Sequence, residues 1–317
     1  MNSILAAKPQ TIQLFNSVLV LGLLSFTQSS YATEGGGTVY PLGVNTVLAG
    51  RMPPPGLTGF LYLSDYQANK TLDDSGNRKA GVHDFDINVQ AISVRMDYVY
   101  TDYTLLGAKL ASRLALPMIK GDISFDVNTP VGKVHRSDKE QGIGDLTIVP
   151  IILGWSSPRV QQMTGLELYA PIGAYDKDNL FNPGRNTWSY APWYSFTAYP
   201  LKDIEISSKI AYIVNTENSA THYKSGQEFI ADYNIGYNVD KQWQVGLNGY
   251  LYKQLTDDEQ HGESVSPNGN RGQVLAVGPS VKYQNSGVGF VLKWQHETKV
   301  ENRAAGDRLW LQTTYHF

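Results

Sequence analysis

The 317-residue chain has no cysteine. That removes a disulfide framework and thiolate metal sites, and leaves backbone hydrogen bonds and packing to hold the fold. After the first 32 residues there is no apolar run near the roughly 18 residues that a membrane-spanning helix needs. Basic excess is missing too: 26 Lys and Arg face 29 Asp and Glu, which excludes the usual basic surface of a nucleic-acid binder. Neither a Gly-rich phosphate loop, a G-x-S-x-G elbow nor an H-E-x-x-H helix occurs. The six histidines (His83, His135, His222, His261, His296, His316) have no metal-ligand spacing, so neither a metal nor a cofactor is expected.

What the chain does have begins at its ends. Lys8 is the only charge in residues 1–32, followed by an apolar core from Val18 to Phe26 and the small-x-small site Ser30-Tyr31-Ala32. This is the pattern of a signal peptide cleaved before Thr33. With it removed, 25 basic side chains remain, one lysine fewer than the whole chain, against the same 29 acidic ones. At the other end Leu309, Leu311, Tyr315 and Phe317 share one side of an alternating element, while Arg308, Gln312, Thr314 and His316 take the other. A last strand with one apolar face and a terminal Phe suits a transmembrane β-barrel, in which no edge can be left in lipid. The expected partners are outer-membrane lipid and lipopolysaccharide, and the barrel assembly machinery through Phe317.

Alternating segments recur along the whole chain, with about twelve predicted strands from Gly59–Gln67 to the C-terminus. Long connections follow strands 1, 3, 5, 7, 9 and 11, and short ones follow the even strands. Both termini then fall on the short-turn, periplasmic side. A phase switch near Ala91-Ile92, from Ile87 and Val89 to Val94, Met96 and Tyr98, predicts a bulge. Met118 to Gly142 reads as a polar loop. Thirty Gly, twenty Tyr and six Trp with only 42% hydrophobic residues agree with a barrel, which presents only every second residue to lipid. A soluble sandwich or lipocalin-like barrel has the same repeat with the apolar face inward. Aromatics at strand ends (Tyr98, Tyr100, Trp188, Tyr237, Trp243, Tyr283, Tyr315, Phe317) favour interfacial girdles. The fold class is therefore all-β, a transmembrane antiparallel up-and-down barrel.

With apolar faces on lipid, the lumen receives Arg95, Lys109, Arg113, Lys209, Lys282, Lys293 and Arg308 against Asp97, Glu167, Glu205, Glu228, Asp232 and Glu297. Such charges must pair or hold water, so a structural network competes with a role in selectivity. The same register turns Tyr169, Trp193, Tyr250, Tyr252 and Trp310 inward. With Arg113, Glu167 and Asp232 they form the expected substrate path for a small hydrophobic or aromatic molecule. Rings that merely fill space are the competing reading. Asp73-Asp74, Asp176-Lys177-Asp178 and Asp257-Asp258-Glu259 lack calcium-loop spacing and read as solvated loop charges.

Residues 33–56 are rich in Gly and Pro, without strand alternation, yet they contain Val39, Tyr40, Leu42, Val44, Val47 and Leu48. They are either a leader or a hatch in the barrel mouth, with Tyr40, Leu42, Met52 and Pro54 as its contact residues. Residues 57–317 form the barrel. His135-Arg136-Ser137 would supply a base and a nucleophile if the barrel were a lipid hydrolase. Its place in a polar loop argues against that.

Several of these stretches carry a resemblance: Glu34-Gly-Gly-Gly-Thr-Val-Tyr-Pro-Leu-Gly43, Gly142-Ile-Gly-Asp-Leu-Thr-Ile-Val-Pro150 with Gly154-Trp155, Lys224-Ser-Gly-Gln-Glu-Phe229, and Asn268-Gly-Asn-Arg-Gly-Gln-Val-Leu-Ala-Val-Gly-Pro279. The chain resembles the outer-membrane barrel family labelled as the phenol-degradation meta-pathway proteins, described as transporters. The resemblance spans nearly the whole chain after the signal peptide. It implies passage of small apolar compounds linked to aromatic catabolism, and it brings no catalytic residues. The expected function is thus non-enzymatic uptake of such compounds. The alternatives are a structural or surface-binding barrel with a closed lumen and, third, an outer-membrane hydrolase using His135 and Ser137.

Overall fold

The computed structural model describes residues 37–265 and 268–317. The expected signal peptide and the start of the Gly/Pro-rich stretch lie outside the described residues. Among the described residues sixteen strands run in order: β1 (Gly56–Thr71), β2 (Val82–Leu105), β3 (Ala108–Thr129), β4 (Gly132–Ile143), β5 (Leu146–Ser156), β6 (Val160–Ala170), β7 (Ser189–Leu201) and β8 (Ile204–Asn215). They continue with β9 (Tyr223–Lys224), β10 (Glu228–Asn238), β11 (Trp243–Gln254), β12 (Glu259–Gln260), β13 (Glu263–Ser264), β14 (Gln273–Asn285), β15 (Val288–Glu301) and β16 (Ala304–His316). The short β9, β12 and β13 make a separate sheet in the connections after β8 and β11.

The other thirteen strands form one antiparallel sheet closed into a barrel of twelve positions, because β4 and β5 share one place. Both pair with β3, β4 along Met118–Thr129 and β5 along Lys109–Ala115, with the break at Gly144-Asp145. Closure comes from β16 against β1, from Thr58↔His316 to Tyr66↔Arg308 and beyond. The Phe317 amide adds a hydrogen bond to the Leu57 carbonyl at 3.0 Å. No edge of the ring is left unpaired, which is the condition for strands in lipid.

Alternation sorts the faces as expected. Ile235, Leu247 and Leu292 look outward, each about half exposed, while Asp232, Lys293 and Gln295 between them on the same strands are at most 1% exposed. At the short-turn end outward aromatics pair along the rim: Trp243 with Tyr283 at 4.7 Å between ring centroids, Tyr98 with Tyr100 at 5.2 Å, and Tyr315 with Phe317 at 4.9 Å. Amphipathic rings at that level match an interfacial girdle.

Three local expectations fail. The register of β1 with β2 runs without a break from Gly56↔Val99 to Ala68↔Ile87, so there is no bulge at Ala91-Ile92. Ile87 and Val89 keep the inward phase and face a cavity, which breaks the rule that apolar means lipid-facing. The stretch from Met118 to Gly142 is the end of β3 and nearly all of β4, turning at Pro130-Val131. The connection after the eleventh ring strand is only Asn302-Arg303, because β15 and β16 run to its edges. Lys109, paired with Gly154 on the inward face, is exposed at the short-turn end of the ring.

Candidate ligand cavity and lumen

Residues 37–55 contain no strand, and they bond to the inward face of the wall. Asp232 on β10 accepts the Tyr40 hydroxyl at 2.9 Å, the Gly43 amide at 2.9 Å and the Asn45 amide at 2.8 Å. Lys293 on β15 donates to the carbonyls of Gly43 and Val44, both at 2.7 Å, and to Thr46 Oγ1 at 3.1 Å. Further along, Glu205 on β8 accepts the Leu48 amide at 2.9 Å, and Thr197 Oγ1 on β7 accepts the Gly50 amide at 3.0 Å. Thr38 donates its hydroxyl to Glu228. A segment without a ladder of its own has its backbone groups satisfied by the barrel wall instead.

Glycine permits the closest approaches. A Cβ on Gly50 would lie 2.4 Å from the Phe196 backbone, and Gly43 holds a φ of +76° beside the Gln295 amide. Tyr40 and Leu42 are buried, packed with Tyr62, Tyr169, Tyr250, Tyr252 and Trp310, while Met52 packs against a second cluster around Trp193. Burial and the nearby Asp232 carboxylate push the Tyr40 phenol well above its ordinary pKa. Pro54, expected as a fourth contact, is exposed.

Beside this segment the wall carries an ion network. Asp97 on β2 holds Arg95 at 2.7 Å and Arg113 of β3 at 2.8 Å, and Arg113 reaches Glu167 of β6 at 3.6 Å. Glu167 in turn pairs with Lys209 of β8 at 2.6 Å and accepts the Tyr169 hydroxyl at 2.9 Å. Lys209 also lies 4.8 Å from the Trp193 ring centroid and 5.0 Å from that of Tyr40. The expected path residues Arg113, Glu167, Tyr169 and Trp193 are therefore one contiguous patch. Tyr250, Tyr252 and Trp310 are also fully inward, and Asp232 is bonded to the 37–55 segment.

Toward the long connections lies a cavity of about 790 Å³, in the range of small-molecule sites. Its floor includes Tyr40, Leu42 and Asn45, with Arg95, Arg113, Glu167 and Lys209 at its polar side. The β2–β3 side is apolar, with Phe85, Ile87, Val89, Ile119, Ile123 and Phe125. Part of the roof is the connection between β6 and β7. Asp138 accepts the Leu180 and Phe181 amides at 2.8 and 3.0 Å, and Asp145 accepts those of Gly173 and Arg185 at 3.1 and 2.8 Å. Partial burial raises the Asp145 pKa. A Cβ on Gly121 of β3 would lie 2.3 Å from the Phe181 ring, so the roof ring rests where β3 has no side chain.

The family described as "Putative MetA-pathway of phenol degradation" matches residues 67–313. The chain belongs to that family. No curated protein matches it. Among solved structures, an outer-membrane channel from Pseudomonas putida F1 superposes with a TM-score of 0.70 at 17% identity, covering 84% of this chain and 97% of that one. The β domain of the Bordetella autotransporter BrkA gives 0.51 at 10% identity, covering 83% and 100%. At such identities the likeness is one of fold. In this phenol-degradation family member the apolar cavity wall was hidden from sequence reasoning. Ile87 and Val89 read as the start of a lipid face before a bulge, and Ile119, Ile123 and Phe125 as loop. Strict alternation carried through residues 85–99 and 111–125 is the signal that would have found them.

His135 does not reach Ser137 through any hydrogen bond among the described residues. Its Nδ1 lies 2.7 Å from Asp126 across the β3–β4 pair, where Lys133 also binds. The acidic loop clusters serve turns: Asp73 accepts the Ser75 and Asn77 amides at 3.0 and 2.9 Å. Asp258 is buried and accepts the Tyr223 hydroxyl at 2.5 Å and the Gly226 amide at 2.8 Å.

Proposed function

We propose that this barrel sits in the bacterial outer membrane and takes up small compounds with an aromatic or apolar body, without catalysing a reaction on them. One observation carries the reading. The cavity toward the long connections has an apolar inner wall on β2 and β3, where a merely water-filled lumen would be polar. Six inward apolar side chains on the same face of these two strands give a ring-shaped solute a surface to leave water for. Residues 33–56 act as the hatch, with the described part, 37–55, bonded across the lumen beneath that cavity. Movement of the hatch connects the cavity to the periplasmic end. Outer-membrane lipid and lipopolysaccharide surround the wall, and Phe317 is the recognition end for the assembly machinery. The test is uptake of labelled toluene by cells with and without the gene. Faster entry in cells that carry it supports the reading, and equal rates contradict it.

A second reading is favoured by the number of hydrogen bonds holding residues 38–50: a structural barrel whose lumen never opens. Liposome swelling with small arenes separates the two, because a permanently closed barrel gives the rate of empty liposomes.

A further inference from the structure

Most inward cations of the wall have a designated partner. Arg95, Arg113 and Lys209 share Asp97 and Glu167, Lys282 lies 3.9 Å from Glu205, and Lys293 is saturated by the 43–46 segment. Arg303 and Arg308 do not follow this pattern. Both line the cavity, and among the described residues neither forms an ion pair with a carboxylate. Each guanidinium is instead held against rings: Arg303 at 4.2 Å from the Tyr252 centroid, and Arg308 at 4.7 Å from Tyr66 and 5.9 Å from Trp310. Among the described residues Arg303 Nη1, Arg308 Nε and Trp310 Nε1 have no hydrogen-bond partner.

Glu297 and Glu228 both act on Arg303 electrostatically, but their oxygens already accept other donors, Glu228 those of Thr38 and Asn215. Glu297 accepts Tyr66 at 2.8 Å, Tyr250 at 2.6 Å and the Gly306 amide at 2.9 Å. Around the whole cavity seven cationic side chains, the exposed Lys177 among them, face three carboxylates, with Asp97 behind the Arg95–Arg113 corner and Glu228 acting on Arg303. Buried donors left without an acceptor are costly, and all three orphan groups are donors. A ligand that completes this site brings acceptors and negative charge.

It also brings an apolar body. The register sets Arg308 opposite Tyr66, and Tyr66 opposite Val89. Two strand spacings, about 10 Å of wall, therefore separate the arginine from the apolar face of β2. That span matches a single ring bearing one acidic group.

We propose that the cavity binds an arene carboxylate, its carboxylate between Arg303 and Arg308 and its ring against the β2–β3 wall. The proposal rests on the uptake reading and narrows its cargo from neutral aromatics to aromatic anions. The tightly paired Arg95–Asp97–Arg113–Glu167–Lys209 group positions the floor and needs no ligand.

The test is calorimetric titration of the purified, folded barrel in detergent with benzoate, its neutral isostere benzamide, and toluene. Benzoate is expected to bind at least about tenfold more tightly than benzamide, the scale of one charge-assisted hydrogen bond. The Arg303→Gln/Arg308→Gln variant is expected to lose that preference while keeping toluene binding, and Arg303→Lys/Arg308→Lys to retain part of it. Benzamide binding as tightly as benzoate overturns the proposal in the wild-type protein alone, whether or not the variants fold. An unaltered benzoate affinity in the folded glutamine variant overturns it as well. If toluene binds and benzoate does not, the anion site falls and the uptake reading stands. If no compound binds, both fall.

Discussion

Lys293 Nζ lies 2.7 Å from the carbonyl oxygen of Gly43, a residue 250 positions earlier in the chain. One cation on the fifteenth strand thereby holds a stretch with no secondary structure of its own. Removing it with Lys293→Met keeps the side-chain bulk and deletes three donors. Loss of charge-assisted bonds worth about 1.5–3 kcal/mol each is expected to raise local opening of residues 43–46 by tenfold or more. Amide hydrogen exchange at Gly43 and Asn45 checks this. Unchanged protection would show that Asp232 suffices alone.

Gly50 tests the same segment sterically. A Cβ there meets the Phe196 backbone at 2.4 Å, and backbone atoms cannot swing aside as a side chain can. Gly50→Val is expected to displace the segment and raise ion conductance in a planar bilayer, with the barrel still folded. Wild-type conductance in that variant would mean that the lower part of the segment does not obstruct the path.

On the outside, Leu247 and Trp243 share the outward face of β11, both about half exposed, with Trp243 in the rim girdle. Leu247→Arg is expected to destabilise the folded barrel by about 2–4 kcal/mol and Trp243→Arg by about 0–1 kcal/mol, following the depth dependence of charge on a lipid face. Equilibrium refolding into lipid vesicles measures both. Equal costs would place the bilayer differently on this wall.

Lipid hydrolysis is expected to be absent. His135 is committed to Asp126 at 2.7 Å, in company with Lys133. Purified protein should therefore release no fatty acid from phospholipid vesicles, and Ser137→Ala should behave identically. Release by the wild type that disappears in the variant would contradict this.

Much of this molecule is legible in its sequence because a barrel repeats one simple rule. Alternation placed Asp232 and Lys293 inward and Leu247 and Leu292 outward, and twelve of the thirteen charged side chains assigned to the lumen are buried or half-buried there. Lys109, beside the Leu106-Gly107 turn, keeps the inward phase but is exposed at the mouth. The same rule misleads where the lumen itself is apolar. Ile87 and Val89 obey the pleat but not the polarity code, so an uninterrupted strand imitates a bulge. Polar strand extensions such as β4, with both faces outside the lipid, lose the code altogether and imitate a loop. The partners of residues 37–55 were beyond reach for another reason. Hydrogen bonds such as Gly43 to Asp232 join positions far apart in the chain through a segment with no periodicity.

The central claim is that residues 38–50 block a path that otherwise leads from the cavity through the ring. Single-channel recording in a planar bilayer, comparing the wild type with a variant lacking residues 34–49, tests it most directly. The account predicts small or no steps for the wild type and clearly larger ones for the deletion, with both proteins migrating as folded barrels. Identical conductance in the two would contradict it.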